Sequence, residues 1–126
     1  MNLGKLHHIA IIGSNLEASK HFYIDILGFT VIREIYRKDN KDYKIDLQLD
    51  GYELELFIKE NCPPRPNYPE AYGLRHMAFC VENMEETVHE LVEKGIEVEP
   101  IRIDPITNKK MTFFKDPDGL PIELHE

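Results

Sequence analysis

Cysteine is scarce in this chain of 126 residues, which contains only Cys62 and Cys80. Two cysteines outside a Cys-x-x-Cys pair cannot form the disulfide framework on which a small secreted protein depends. We therefore expect a reducing compartment, the cytoplasm, and interpret Cys80 as an ordinary buried thiol.

Long apolar runs and clusters of basic residues are also lacking. The apolar run Ile9 to Ile12 near the N-terminus is too short for a signal sequence or a membrane span. Lysine and arginine together number 15 against 23 aspartates and glutamates, which gives a net charge of −8. Because phosphate binding needs clustered basic side chains, this balance discourages binding of nucleic acids and anionic membranes, and we expect neither as a partner.

The chain does contain an internal repeat at an offset of 68 residues. In each half, a histidine in an alternating segment is followed 47 positions later by a glutamate. Self-similarity at a fixed period indicates that one structural unit is used twice. The matching segments are Leu6-His7-His8-Ile9-Ala10 with Leu74-Arg75-His76-Met77-Ala78, Asp50-Gly51 with Asp118-Gly119, and Glu55-Leu56 with Glu123-Leu124.

The periodicities predict an α+β fold of two tandem β-α-β-β-β modules within a single domain, residues 1–126. Helices are predicted after the capping signals Ser14-x-x-Glu17 and Asn83-x-x-Glu86, and are expected to end at Gly28 and Gly95. The segment 59–73 holds half of the eight prolines and is interpreted as a linker between module 1, about 5–58, and module 2, about 74–126. The predicted strands are 5–13, 29–36, 43–49 and 52–58 in module 1, and 74–81, 96–103, 111–114 and 120–124 in module 2.

Alternation along these strands predicts that four side chains lie on the sheet faces that the helices leave uncovered. They are His8, Glu55, His76 and Glu123. If the two open faces come together as a half-open cleft, two imidazoles and two carboxylates form a metal site. Such a donor set suits one divalent ion, Zn²⁺, Ni²⁺, Co²⁺, Mn²⁺ or Fe²⁺, and leaves positions for substrate on a six-coordinate ion.

Five segments resemble the vicinal oxygen chelate superfamily, which includes glyoxalase I, extradiol dioxygenases and the bleomycin- and fosfomycin-resistance proteins. The chain is most similar to the small bacterial lactoylglutathione-lyase-like members. The resemblance covers nearly the whole chain. The segments are Leu6-His7-His8-Ile9-Ala10, Phe22-Tyr23-x-x-x-Leu27-Gly28-Phe29, Glu55-Leu56, His76-Met77-Ala78-Phe79 and Asp116-Pro117-Asp118-Gly119-x-x-Ile122-Glu123.

The resemblance implies a glyoxalase-type lyase or isomerase that acts on an oxygen-chelating substrate such as the hemithioacetal of a 2-oxoaldehyde. The positions that hold the metal in that family match His8, Glu55, His76 and Glu123 of this chain. The ion polarises the substrate carbonyl as a Lewis acid, and Glu123 or Glu55 is the base, with Glu123 preferred. A homodimer is also implied.

The pattern departs from the bacterial lyases at one position, because Ile12 stands where their glutathione-binding arginine is expected. Candidate pocket residues are Ile12, Phe57, Cys80 and Phe114. Three rival interpretations remain: a ring-cleaving dioxygenase, a metal-dependent resistance transferase, and a non-enzymatic protein that binds a drug. The first two use fewer protein ligands, and the third needs no metal.

Overall fold

The computed structural model describes residues 1–126 and has the predicted mixed α+β architecture, with two four-stranded sheets. No helix is both long enough and apolar enough to cross a membrane. The elements are β1 His8–Gly13, α1 Leu16–Lys20, a π-helical segment His21–Ile26, β2 Thr30–Arg37, β3 Asp42–Leu49, β4 Tyr52–Ile58, β5 Met77–Cys80, α2 Met84–Glu93, β6 Arg102–Ile103, β7 Lys110–Lys115 and β8 Pro121–His125.

The two sheets have the same connectivity. Their strand orders are β1-β4-β3-β2 and β5-β8-β7-β6, and in each the first and last strands of the unit pair in parallel. The register is also repeated, because Ala10 lies opposite Glu55 and Ala78 lies opposite Glu123. The chain forms two compact units, Met1–Pro63 and Pro64–Glu126.

The core of unit 1 follows the predicted alternation. Ile11, Leu54 and Leu56 are buried. His8 and Ala10, which have the opposite parity to Ile11 on β1, are exposed. Ile45 and Leu47 of β3 and Phe22 and Tyr23 of the π-helical segment are also buried. Burial of these side chains, worth about 1.5–3 kcal/mol for each fully buried residue, fixes which sheet face is left for polar groups.

The helix boundaries confirm one predicted cap and correct the other. Asn83 caps α2 as predicted, and its side chain accepts a hydrogen bond from the Glu86 amide. The first helix is capped by Asn15 rather than Ser14, because the Asn15 side chain accepts from the Ala18 amide at 2.9 Å. Asn and Ser are about equally favoured at this position, so sequence alone does not separate adjacent candidates.

Two predicted strands of unit 2 are shorter in the structure. Only Arg102–Ile103 of the predicted strand 96–103 is a strand. The Glu99 amide still donates to the Phe113 carbonyl at 2.9 Å, but Pro100 has no N–H with which to continue the ladder. Strand β5 begins at Met77 rather than at residue 74, because the Arg65 side chain occupies the carbonyls of Leu74 and Arg75.

Candidate metal centre

The first histidine–glutamate pair, called here the first half-site, consists of His8 and Glu55 on the polar face of the first sheet. The two side chains meet because β1 and β4 are parallel neighbours and both residues have the parity of that face. His8 Nε2 lies 3.5 Å from Glu55 Oε2. His7 Nδ1 lies 3.0 Å from His8 Nδ1, on the opposite side of the imidazole ring, so Nε2 is the nitrogen turned to the carboxylate.

Glu55 is bound by a second residue, Lys44 of β3. Lys44 Nζ lies 3.0 Å from Glu55 Oε1 and 2.5 Å from Asp46 Oδ1. Asp46 is buried and also pairs with Arg33, whose Nε is 3.1 Å from Asp46 Oδ2. The pKa of Lys44 is raised above its usual value, first by the hydrogen bond to Asp46 and then by that to Glu55, which outweigh partial burial. Lys44 is therefore a stable cation beside the first half-site.

A second ion pair lies at the far end of β3. Arg37 donates two hydrogen bonds of 2.7 Å to the Asp42 carboxylate, and Lys59 Nζ lies 3.3 Å from the same group. The hydrogen bonds from Arg37 hold the pKa of Asp42 below its usual value. The guanidinium carbon of Arg37 is also 4.8 Å from the centre of the Phe57 ring. The polar face therefore carries fixed, paired charges around Phe57.

The second half-site, His76 with Glu123, has the same placement in unit 2. His76 Nε2 lies 3.0 Å from Glu123 Oε2, and only 12% of the Glu123 side chain is exposed. Phe113 of β7 lies opposite Glu123 in the register, and its ring meets the His76 ring edge-on with centres 5.3 Å apart. Glu123 thus sits beside an aromatic ring, whereas Glu55 sits beside a lysine.

Hydrogen bonds from the segment before β5 hold the residues that lead into the second half-site. The Asn67 side chain donates to the Gly119 carbonyl at 2.8 Å, in the turn before β8, and its oxygen accepts from Arg65 and Arg75. Arg65 in turn donates to the carbonyls of Leu74 and Arg75. We call Arg65, Asn67 and Arg75 the Asn67 cluster. The cluster therefore holds the backbone just before His76 and the turn that precedes Glu123.

The donor atoms of each half-site have a separation that suits one metal ion. Two donors bound at 2.0–2.2 Å with angles between 90° and 109° are about 2.8–3.6 Å apart. The separations of 3.5 Å and 3.0 Å in the two half-sites fall in that range. Within either unit, no group of three or more His, Cys, Asp or Glu side chains is arranged to hold a metal. Each unit brings together one imidazole nitrogen and one carboxylate oxygen.

The remaining predicted pocket residues have different placements. Ile12 and Cys80 are exposed, so the prediction of a buried Cys80 thiol was wrong, and Phe57 lies half-buried on the face of Glu55. Phe114 is only 2% exposed and lies opposite Ile122, on the core side of its strand. Phe113, which the sequence reasoning missed, takes the place beside Glu123.

Lys44 and Phe113 had signals in the sequence that the reasoning left unused. The turn Asp50-Gly51 fixes the hairpin register, which places Lys44 and Asp46 on the face of Glu55. Phe113 follows in the same way from pairing β7 with β8 across the turn at Asp118-Gly119.

With this geometry in place, the comparisons with known proteins identify the family. The model of the Glyoxalase/Bleomycin resistance protein/Dioxygenase superfamily matches residues 5–124. The chain belongs to this superfamily. It is 56% identical to the uncharacterized protein YwkD of Bacillus subtilis over 100% of this chain and 99% of that protein. A crystal structure of a glyoxalase family protein from Enterococcus faecalis, 56% identical, matches with a TM-score of 0.96 over 100% of both chains.

More distant relatives have names that state an activity. The chain is 32% identical to a probable lactoylglutathione lyase of Synechocystis over 94% of this chain and 92% of that protein. It is 30% identical to the metallothiol transferase FosB of Staphylococcus saprophyticus over 95% of this chain and 75% of that protein. Members of the superfamily with similar sequences therefore include enzymes of more than one reaction type.

Proposed function

We propose that this protein is a metal-dependent lyase or isomerase of the glyoxalase type. Its proposed centre is one divalent ion held by the two half-sites, His8 with Glu55 and His76 with Glu123. The observation that carries the proposal is the repeat of the same donor pair in the same strand register. A single histidine–glutamate ion pair is common in proteins, but two equivalent pairs with metal-compatible spacing are difficult to explain by stability alone.

The proposed substrate is a small molecule with two neighbouring oxygens, such as the hemithioacetal of a 2-oxoaldehyde. When bound, the ion supplies Lewis acidity toward those oxygens. Glu123 is the proposed base, which removes the proton from the carbon beside the carbonyl and returns it to the neighbouring carbon. Glu123 is preferred over Glu55 because Glu55 is held by Lys44 as well as by His8, whereas Glu123 has His76 alone as its ion-pair partner.

The surroundings of the half-sites support binding of a compact substrate. Phe57 and Phe113 offer apolar surface beside the two carboxylates, and Ile12 and Cys80 are proposed rim residues. Because Ile12 replaces the arginine expected in glutathione-dependent lyases, we propose that the thiol part of the substrate is not held by its glutamyl carboxylate at this position.

The experiment that tests the proposal measures isomerisation of methylglyoxal hemithioacetals by protein loaded with each divalent metal in turn. Glutathione, cysteine and other low-molecular-weight thiols are compared as the thiol component. We expect activity with at least one pair of metal and thiol, and a loss of about 10²–10⁴-fold in kcat for Glu123→Gln, since general base catalysis contributes that amount. His89→Gln, which changes an exposed histidine on α2, is the matched control.

The opposite result is also informative. Protein that binds one metal per chain but isomerises no hemithioacetal would contradict the lyase assignment. The second candidate is then a thiol transferase, which the 30% identity to FosB favours. Transfer of a thiol to an epoxide such as fosfomycin, followed by mass spectrometry of the adduct, tests that candidate with the same protein preparations.

We further propose that the protein is cytoplasmic and forms a homodimer. The four ligands meet either within one chain or across the dimer. Light scattering tests the dimer, for which the expected mass is twice the 14.8 kDa of the chain. A mass near that of a single chain at all concentrations would contradict it.

A further inference from the structure

The two half-sites differ in the groups that hold their carboxylates. Glu55 is contacted by a histidine on one oxygen and by a lysine on the other, because Oε2 faces His8 and Oε1 faces Lys44. Glu123 has His76 as its ion-pair partner, and the residue opposite it on β7 is Phe113. The two units therefore share the same donor atoms, but only the Glu55 carboxylate has a lysine as a second partner.

The contacts of Glu55 assign different tasks to its two oxygens. Lys44 Nζ donates to Oε1 at 3.0 Å, which restricts rotation of the carboxylate. With Oε1 engaged, the oxygen beside His8 Nε2 is Oε2, at 3.5 Å. A carboxylate held in this way presents one oxygen to an ion and keeps the other for hydrogen bonding, which is how outer groups orient metal ligands.

Lys44 is itself fixed in position. Its ammonium also pairs with Asp46, which is only 6% exposed, and Asp46 pairs with Arg33 on the neighbouring strand. Strand β3 carries Lys44 opposite Phe57 and Asp46 opposite Glu55, so the backbone register sets the distance between ammonium and carboxylate. A lysine with a buried partner loses little further freedom when it holds Glu55.

We propose that Lys44 is a positioning residue of the metal centre, which holds Glu55 by Oε1 so that only Oε2 is presented beside His8. This inference rests on the proposed function, since it assumes that Glu55 is a metal ligand. If Lys44 has this role, the two glutamates have different functions. Glu55 is a fixed ligand, whereas Glu123, without a lysine behind it, keeps the freedom to reorient toward a substrate proton.

Lys59 offers a matched control for a test of this role. The ammonium groups of Lys44 and Lys59 lie at nearly equal distances from the centre of the Phe57 ring, 5.8 Å and 5.9 Å. Lys59 pairs with Asp42, however, and not with Glu55. Lys44→Met and Lys59→Met thus each remove one positive charge that lies near the Phe57 ring. Loss of a positive charge near a cation site raises metal affinity because it removes Coulomb repulsion, and comparison of the two variants offsets part of that effect.

The experiment loads chelator-treated wild type and both variants with Co²⁺ and measures affinity by competition with a chromogenic chelator. We expect Lys44→Met to bind Co²⁺ about 10-fold more weakly than Lys59→Met, the lower end of the usual effect of removing an outer hydrogen bond. The visible absorption spectrum of bound Co²⁺, which reports coordination geometry, should change in Lys44→Met and match wild type in Lys59→Met. A purely structural role for Lys44 would leave that spectrum unchanged.

Two further variants keep the test decisive. Lys44→Gln retains a hydrogen-bond donor on a shorter side chain, and it should change the spectrum in the same direction even if the Met variant fails to fold. In a Glu55→Gln background the two lysine variants should become equivalent, because the carboxylate that Lys44 holds is gone.

The outcomes separate this inference from the proposed function. Wild type that binds Co²⁺, together with Lys44 variants whose affinity and spectrum equal those of Lys59→Met, would overturn the role of Lys44 and leave the proposed centre intact. Wild type that binds neither Co²⁺ nor any other divalent metal would overturn both.

Discussion

The Asn67 cluster leads to a quantitative prediction because the internal repeat provides its own control. Gly51 and Gly119 occupy matching positions of the repeat, with φ values of +80° and +86°. An added Cβ at Gly51 meets nothing within 4 Å, whereas at Gly119 it would lie 3.3 Å from the Asn67 side-chain nitrogen. Substitution by alanine at either position costs about 1–2 kcal/mol for a non-glycine residue in the left-handed region.

Gly119→Ala carries an additional cost. The Asn67 amide must move away from the new methyl group, which strains its 2.8 Å hydrogen bond to the Gly119 carbonyl and its contacts with Arg65 and Arg75. Loss of one such bond costs about 0.5–1.5 kcal/mol. We therefore expect a destabilisation of about 1–2 kcal/mol for Gly51→Ala and about 1.5–3.5 kcal/mol for Gly119→Ala, the sum of the two effects.

The assay is urea unfolding of chelator-treated protein followed by circular dichroism, so that bound metal makes no contribution to stability. The dependence of the free energy on urea should be unchanged in both variants, which would show that only stability has changed. A Gly119→Ala variant no less stable than Gly51→Ala would refute the reasoning, because the contact with Asn67 would then contribute nothing. Asn67→Ala should remove most of the difference between the two glycine variants.

Two further predictions concern charge and geometry. Arg37 lowers the pKa of Asp42 from 3.8, so the stability that this carboxylate contributes is present above pH 3.8 and is lost as the pH falls through its lower folded-state pKa. Asp42→Asn should therefore be less stable than wild type at neutral pH and should lose less stability on acidification, as measured by thermal unfolding from pH 7 to pH 2. Equal acid sensitivity of the two proteins would contradict a stabilising role of the Asp42 carboxylate. For a given loss of stability, Phe113→Ala should lower hemithioacetal turnover more than Phe114→Ala does, because Phe113 borders the second half-site and Phe114 lies in the core. Equal losses of turnover for the same loss of stability would contradict a role of Phe113 at the half-site.

The sequence was sufficient to predict the order of elements and the parity of the site residues. Two local signals were strong enough for this purpose. Alternation along β1 and β4 separates Ile11 and Leu56 from His8 and Glu55, and the structure buries the first two as predicted. The turn Asp50-Gly51, in which both residues have positive φ, fixes the hairpin between β3 and β4.

The errors arise where a non-local contact decides between local alternatives. The start of β5 was placed too early because the Arg65 side chain, nine residues before Leu74, takes the carbonyls that a strand neighbour would otherwise bind. Phe114 is predicted as a pocket residue and Phe113 is not, although these adjacent aromatics have opposite parity and only the pairing of β7 with β8 tells which of them lies opposite Glu123. The cap at Asn15 differs from the predicted one for another reason, because Asn and Ser are about equally favoured as caps and the deciding contact is local.

The support behind Glu55 was not predictable from the repeat itself. The offset of 68 relates Lys44 to Thr112. In the sheet register, Lys44 lies opposite Phe57, and the residue opposite the matching His125 is Met111. Neither comparison therefore finds a second lysine in unit 2. A repeat identifies what two units share, but the features in which they differ must come from the contacts within each unit.

The central claim is that His8, Glu55, His76 and Glu123 bind one divalent ion. The most direct test is elemental analysis by plasma mass spectrometry of untagged wild type and His8→Ala, each purified without chelator and also after incubation with Ni²⁺, Zn²⁺ or Mn²⁺ and removal of excess metal. We predict about one ion per chain in wild type and loss of most of it in His8→Ala, because metal binding depends on every ligand of the set. A wild type that takes up none of these metals, or a His8→Ala variant with undiminished metal content, would contradict the account.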